Sequence, residues 1–200
     1  AIVQTSEAVK LDPRNAQAYI IRADARLTRL RPDGPGRARG TARPGKEALD
    51  EIILDYTEAI RLSPNLAEAH AKRGAASLEK GDIESAIINA TKAIELDPRW
   101  VEAYCVRGKA RLDKGEASAA AADFTTAMGL SPKIFQGTTE KRTHAAEAFY
   151  SRARLRASGG DQERAAADCR IALQLAPPRW NRRQETEALL QRATQGQEKR

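Results

Sequence analysis

Prolines that follow a Leu-x pair recur along this chain at nearly fixed spacing, and this periodicity constrains the fold more than any other feature. They are Pro13, Pro64, Pro98, Pro132 and Pro177. The intervals are 51, 34, 34 and 45 residues, so two are identical and the others exceed 34 by 17 and 11. Two further sets keep the same phase: Tyr19, His70, Tyr104 and Phe149, then Ala59, Ala93, Ala127 and Ala172. Several residue types in one register over four copies indicate an internal structural repeat.

Each repeat reads as a pair of helices. In the most regular copy, residues 67–80 are compatible with a helix, Gly81 and Asp82 interrupt it, and residues 83–96 form a second helix that ends before Pro98. A proline cannot continue a helix, so it separates one pair from the next. Small residues such as Gly74 allow the two backbones to approach closely. One such pair cannot bury its apolar faces alone, whereas stacked pairs can.

This pattern resembles the tetratricopeptide repeat. The resemblance depends on an aromatic residue at the fourth position, a small residue at the eighth, Gly at the fifteenth, Ala at the twentieth and twenty-seventh, and Pro at the thirty-second. Residues 67–98 and 101–132 match nearly throughout. The family implies an all-α, right-handed α-solenoid of helix-turn-helix repeats. We expect four full repeats, a leading half-repeat and a C-terminal capping helix.

The same phase divides the chain into segments. We predict the second helix of a truncated repeat at 1–13, and full repeats at 14–64, 65–98, 99–132 and 144–178. An insertion is expected at 31–47 within the first full repeat and another at 133–143, and a capping helix and tail at 179–200. Because the first helix of the opening repeat is missing, we expect the chain to be a fragment of a longer array. In the second insertion, Ile134 and Phe135 favour partial packing against the repeats.

The net charge of +7 is concentrated outside the repeats. The segment 31–47 carries +3 and the segment 179–200 carries +3, which leaves +1 for the rest of the chain. The first segment is rich in Gly and Pro and is typical of a surface loop. It could bind a phosphate or an acidic surface, or it could be a tolerated insertion. The body of the chain lacks the basic stripe typical of nucleic-acid binding, so such a partner is disfavoured.

Two further sets of polar residues follow the repeat. The first helices carry Arg22, Arg73, Arg107 and Arg152 in one phase. The second helices carry Asp55, Asn89, Asp123 and Asp168 in another. A ladder of arginines could contact a ligand. Because each repeat also offers an acceptor, we favour structural ion pairs between the two helices.

The resemblance also implies a binding surface. In this family the first helices line a concave groove through their second, fifth, ninth and twelfth positions. Carried onto this sequence, these groove positions are Gln17, Ile20, Asp24, Leu27, Glu68, Ala71, Ala75, Leu78, Glu102, Cys105, Lys109, Leu112, Glu147, Tyr150 and Arg154. Such a surface suits an extended or helical peptide with apolar anchors and charges of both signs. The alternative is that these residues are solvated helix faces with no partner.

No constellation for catalysis or metal binding appears. Cys105, Cys169, His70 and His144 lie at spacings that suit neither a nucleophile–base pair nor a zinc site, and no glycine-rich phosphate loop is present. We therefore expect no cofactor, no metal and no enzymatic activity. No apolar run is long enough to span a bilayer. The few cysteines are compatible with cytoplasm or periplasm.

Three functional hypotheses follow. The first is a non-catalytic scaffold that binds a peptide segment or a protein partner in the concave groove. The second is the substrate-recruiting part of a larger enzyme. The third, less favoured, is an RNA-binding helical repeat that uses the basic loop and tail. Self-association through the ends of the array stays open.

Overall fold

A computed structural model describes residues 2–30, 45–135 and 139–195 of the chain. Over these residues it contains α-helices and one short 3-10 helix, without any β-strand. The described residues therefore confirm the all-α class and the helix-turn-helix organisation. Most of the predicted basic loop, residues 31–44, lies outside them.

The helix bounds follow the repeat closely. The α-helices are α1 (Ile2–Leu11), α2 (Ala16–Leu30), α3 (Lys46–Leu62), α4 (Ala67–Lys80), α5 (Ile83–Leu96), α6 (Val101–Asp113), α7 (Ala117–Leu130), α8 (Thr139–Ser158), α9 (Gln162–Leu175) and α10 (Arg183–Gln195). The helices α4 and α5 have the bounds that the sequence predicts. The 3-10 helix is Pro132–Phe135.

Helices begin within both segments predicted as insertions. Helix α3 begins at Lys46, so the last two residues of the segment 31–47 are helical. Helix α8 begins at Thr139, so residues 139–143 form its first turns. Nothing in this stretch, from Thr139 to Thr143, breaks a helix, because it contains neither Gly nor Pro.

The chain consists of two compact units, Ala1–Val106 and Arg107–Arg200, which we call the N-terminal and C-terminal units. In the N-terminal unit, α1 to α5 pack in sequential order. Their core contains the fully buried side chains Ile20, Leu49, Ile52 and Tyr56. Alanines occupy the remaining core positions, which lets the helices approach closely.

In the C-terminal unit, α7, α8, α9 and α10 also pack sequentially. Phe124 of α7 and Phe149 of α8 are its largest fully buried side chains. Phe135 is buried and meets the ring of Phe124 edge to face, with centroids 6.2 Å apart. The prediction that this part of the second insertion packs down is therefore confirmed for Phe135.

Glycines mark both the turns and the close contacts. Gly81, Gly115 and Gly160 join the two helices of their repeats with φ of 90°, 88° and 86°, a left-handed conformation that favours glycine. Gly74 lies against α5, where an added Cβ would come within 3.3 Å of backbone atoms. The close helix approach predicted at Gly74 is therefore present.

Three of the four residues at the aromatic position of the repeat make a polar contact as well as an apolar one. The Tyr19 and Tyr104 hydroxyls donate to the carbonyl oxygens of Pro13 and Pro98, six residues earlier, at 3.3 and 3.1 Å. At the equivalent position, His70 Nε2 lies 2.9 Å from the Pro64 carbonyl. These contacts connect α2, α4 and α6 to the proline turns that precede them, whereas Phe149 of α8 has no polar atom for such a contact.

Candidate functional site

The predicted groove positions are not equally accessible. The fifth position is buried in every repeat: the exposed fractions of Ile20, Ala71, Cys105 and Tyr150 are 0%, 3%, 7% and 5%. Burial conflicts with the expectation that Ile20, Ala71 and Cys105 contact a partner, because packing against neighbouring helices already covers them. The accessible groove positions are the second, ninth and twelfth. Gln17, Glu102 and Arg154 are exposed, whereas Asp24, Leu27, Glu68, Ala75, Leu78, Lys109, Leu112 and Glu147 are half-buried.

In the N-terminal unit, Asp24 is the centre of a polar network. The buried Tyr56 hydroxyl donates to Asp24 Oδ1 at 2.7 Å, and Lys72 Nζ donates to Oδ2. Lys72 also lies 3.0 Å from Glu68 Oε1. Burial lowers the pKa of Lys72, but its hydrogen bonds to Asp24 and Glu68 outweigh that effect and the pKa is raised. The two groove carboxylates are therefore already partnered by one lysine.

In the C-terminal unit, Arg182 connects α8 to α10. Its Nε lies 2.9 Å from Glu147 Oε1 and its Nη1 lies 3.1 Å from Glu185 Oε2. The Tyr150 hydroxyl donates to the same Glu185 oxygen at 2.6 Å. Its hydrogen bond, together with that from Arg182, lowers the pKa of Glu185, so this carboxylate stays ionised. Trp180 packs edge to face on Tyr150 with centroids 6.1 Å apart.

The two cationic groove residues differ in their partners. Lys109 forms an ion pair with Asp113, one turn along the same helix. Arg154 lies 5.9 Å from the centroid of the Tyr150 ring, and none of the described residues forms an ion pair with it. Arg154 is therefore the groove cation whose charge is available to a ligand.

A pocket of about 850 Å³ opens beside Arg154 in the C-terminal unit. It lies between α8 and α10, next to the turn that joins α6 to α7. Its lining residues are Gly115, Ala117, Tyr150, Ser151, Arg154, Leu155, Ala157, Ser158, Glu185, Ala188, Leu189 and Arg192. The lining combines aliphatic side chains with two guanidinium groups, so the pocket can hold an apolar side chain next to an anion.

The two polar ladders meet inside every repeat. The bonds join Arg22 to Asp55, Arg73 to Asn89, Arg107 to Asp123 and Arg152 to Asp168, at 2.5, 2.8, 2.8 and 2.8 Å. The four acceptors are buried, with exposed fractions of 1–6%. The arginines are thus directed at the helix pairing, and this geometry favours the structural interpretation over ligand contact.

Each buried carboxylate of the ladder also pairs with a second arginine, which the sequence did not predict. Arg26 lies 2.6 Å from Asp55, and the other two carboxylates have equivalent partners. These are Arg111 on Asp123 at 2.9 Å and Arg156 on Asp168 at 2.8 Å. Each follows the first arginine by four residues on the same helix face, a spacing visible in the sequence. In the second full repeat, Ser77 takes this position and Asn89 replaces the aspartate, so the loss of one cation accompanies the loss of the anion.

The cysteines and histidines are arranged for packing. Burial raises the pKa of the Cys169 thiol to about 11, which leaves it a poor nucleophile at neutral pH. Burial lowers the pKa of His70, whose Nδ1 has no hydrogen-bond partner among the described residues. No group of His, Cys, Asp or Glu in residues 2–30, 45–135 and 139–195 is placed to hold a metal ion. None of the described helices has the length and apolarity to cross a membrane.

Comparison with known proteins agrees with this architecture. The family model of the tetratricopeptide repeat matches residues 67–99. No curated protein sequence matches the chain.

Solved structures of other proteins resemble the fold. The crystal structure of MamA has a TM-score of 0.62 and 18% identity, and covers 87% of this chain and 85% of that one. YrrB, described as a TPR protein with an unusual peptide-binding site, has a TM-score of 0.59 and 18% identity over 97% and 81% of the two chains. The TPR2B domain of yeast Sti1, in a pHsp70 complex, has a TM-score of 0.53 and 22% identity over 66% and 94%. Residues 67–99 are therefore a tetratricopeptide repeat, and the helical array around them has the fold of tetratricopeptide-repeat solenoids.

Proposed function

We propose that this chain is a non-catalytic scaffold that binds a peptide segment or protein partner through the groove positions of its first helices. The observation that carries the proposal is the pocket between α8 and α10, which combines an aliphatic lining with unpaired positive charge. Peptides dock into helical grooves through such combinations of apolar anchors and charge.

Two of the similar structures support the same class of function. YrrB has a peptide-binding site by its own description, and the Sti1 domain is described as a complex with pHsp70. The chemistry of the described residues also favours binding over catalysis, because the Cys169 thiol is buried with a raised pKa and the ladder arginines are occupied by buried acceptors.

The proposal is tested by selecting a random-peptide phage library on the immobilised 200-residue chain. We expect enrichment of a peptide family whose members bind with one-to-one stoichiometry in titration calorimetry. The blocked variant Ala75→Glu/Ala157→Glu places one charge at a groove position and one in the lining of the pocket, and should weaken binding about tenfold or more.

The matched control is Ile88→Glu/Ala167→Glu, which adds the same charge to exposed residues of the second helices α5 and α9. It should bind as the unmodified chain does. Circular dichroism verifies that both variants remain helical. Absence of any enriched peptide, or binding lost only in the control, would contradict the proposed function.

A further inference from the structure

Two arginines in the C-terminal unit lack the carboxylate partners that other arginines of this chain have. Arg154 of α8 contacts the Tyr150 ring, and Arg192 of α10 donates from Nε to the Ala188 carbonyl at 3.2 Å. Neither forms an ion pair with any residue that the structure describes, although both are exposed and line the same pocket. Their other guanidinium nitrogens are therefore free to donate to a ligand.

The one carboxylate in the pocket wall does not cancel this charge. Glu185 accepts the Tyr150 hydroxyl at 2.6 Å and pairs with Arg182 at 3.1 Å, and Arg182 also binds Glu147. Glu147 and Glu185 are thus both paired with Arg182, and neither forms an ion pair with Arg154 or Arg192. The charge of Arg154 also lowers the pKa of Glu185, but its effect is smaller than that of the hydrogen bonds from Tyr150 and Arg182. The pocket still presents cations to solvent.

The same pocket has an apolar part, to which both of its helices contribute a leucine. Leu155 of α8 is 57% exposed, and Leu189 of α10 is half-buried. Covering such an exposed leucine removes apolar surface from water. Burying an aliphatic side chain of a ligand there contributes about 1.5–3 kcal/mol to the free energy of binding. Leu155 and Leu189 therefore provide the apolar contact for a ligand whose charged groups reach the arginines.

The groove residues of the N-terminal unit do not offer the same chemistry. There, Lys72 is held by Asp24 and Glu68, so its charge is already compensated within the unit. A ligand carboxylate would have to displace one of these carboxylates, and such an exchange gains little free energy.

On this basis, and dependent on the proposed function, we infer that the pocket between α8 and α10 binds an internal peptide segment with two acidic side chains flanking an aliphatic one. Guanidinium groups form charge-assisted, often bidentate hydrogen bonds with carboxylates. The two arginines belong to different helices, which suits two carboxylates along a segment. An internal segment supplies two carboxylates from two of its side chains, whereas a chain terminus supplies one of its own and needs an acidic side chain for the second. We assign the ligand to an internal segment, and a terminal segment is the alternative that the two libraries separate.

The test uses peptides selected on the full chain from two phage libraries, one displayed as an internal loop and one with a free C-terminus. We expect enrichment from the loop library of sequences with Asp or Glu on both sides of Leu, Ile or Val. Replacing either acidic residue of a selected peptide by its amide should weaken binding about tenfold, as should Arg154→Ala or Arg192→Ala in the protein. Arg154→Lys and Arg192→Lys should retain more affinity than the alanine variants, because lysine keeps the positive charge but lacks the planar guanidinium group that binds a carboxylate through two hydrogen bonds.

The matched control Arg99→Ala/Arg170→Ala removes two exposed arginines that do not line the pocket. It should leave the affinity within about twofold, which separates a local contact from a general loss of positive charge. Leu155→Ser should weaken binding as well, whereas a purely electrostatic contact would not respond to it.

Each other outcome overturns the inference. Selected peptides without acidic residues, or binding unaffected by both arginine variants, would refute the pocket chemistry while leaving the proposed function intact. Enrichment confined to the free C-terminus library would refute the assignment to an internal segment. If neither library yields a binding peptide, both the inference and the proposed function fail.

Discussion

Replacing Asp123 by Ala is the perturbation that most directly probes how the repeats are held together. The Asp123 carboxylate is 4% exposed and accepts Arg107 Nη2 at 2.8 Å and Arg111 Nη1 at 2.9 Å. Arg107 Nε adds contacts at 3.1 and 3.2 Å. One carboxylate from α7 thus holds two guanidinium groups of the preceding helix.

The expected cost follows from this geometry. Removing one partner of a fully buried ion pair costs about 3–5 kcal/mol, because the remaining charge is left without compensation. The side chains of Arg107 and Arg111 are 15% and 25% exposed, so water can solvate part of their charge. We therefore expect Asp123→Ala to lower the free energy of unfolding by about 2–4 kcal/mol. For a chain of this size the melting temperature should fall by roughly 5–15 °C.

Two variants calibrate the result, and the assay is urea and thermal unfolding followed by far-UV circular dichroism. Asp123→Asn keeps one acceptor oxygen, as Asn89 does naturally, and should cost about 1–2 kcal/mol. Asp113→Ala removes an aspartate of the same unit that pairs at the surface with Lys109, and should cost about 0–1 kcal/mol.

Refutation is equally specific. If Asp123→Ala costs no more than Asp113→Ala, the ladder does not stabilise the helix pair as argued. If Asp123→Ala lowers the affinity for a selected peptide while the unfolding transition is unchanged, the ladder contacts the ligand and the structural interpretation is wrong.

Four further predictions concern single residues. Burial lowers the folded-state pKa of His70 below its unfolded value near 6.5, so its stabilising contribution is present above about pH 6.5 and is lost as the pH falls toward the folded pKa. His70→Tyr should reduce the slope of urea midpoint against pH. Gly74→Ala should destabilise the fold by about 1–2 kcal/mol in urea unfolding, because its Cβ meets α5 backbone at 3.3 Å. In α7, a Cβ added at Gly129 would have no atom within 4 Å, so Gly129→Ala should stabilise the fold by about 0.5–1 kcal/mol. Tyr56→Phe removes the hydrogen bond to Asp24 and should cost about 1 kcal/mol by the same assay, with stability unchanged as the contradicting result.

The repeat pattern predicts the fold well because the same contact is needed in every copy. A small residue is required at Gly74 because its Cα lies against the backbone of α5, and the polar ladders recur because each repeat buries an acceptor for its arginine. The second arginine, as at Arg26, follows this logic too, since its spacing of four residues from Arg22 is visible in three of the four repeats. This second arginine becomes visible only when neighbours along one helix are compared, whereas the repeat pattern relates equivalent positions in different repeats.

The site is harder to predict because accessibility and pairing depend on other helices. A stripe on one helix does not show that a side chain at the fifth position, such as Ile20, is covered by packing. Nor does it show that Glu147 is bound by Arg182, which lies 35 residues away in the turn immediately before α10. The pocket beside Arg154 requires α10, whose repeat phase is not evident in the sequence.

The ninth groove position shows why fold and specificity separate in such an array. It carries Asp24, Ala75, Lys109 and Arg154 in the four repeats, so the repeat imposes no side chain there. Ion pairs within the chain compensate two of the three charges at this position, because Lys72 pairs with Asp24 and Asp113 pairs with Lys109. A ligand gains free energy only from charge that the protein has not already compensated, because displacing an existing partner costs about what the new contact contributes. The charge left after internal pairing, chiefly that of Arg154, is what a partner can recognise, and it can change between related chains without disturbing the helix pairs that carry it.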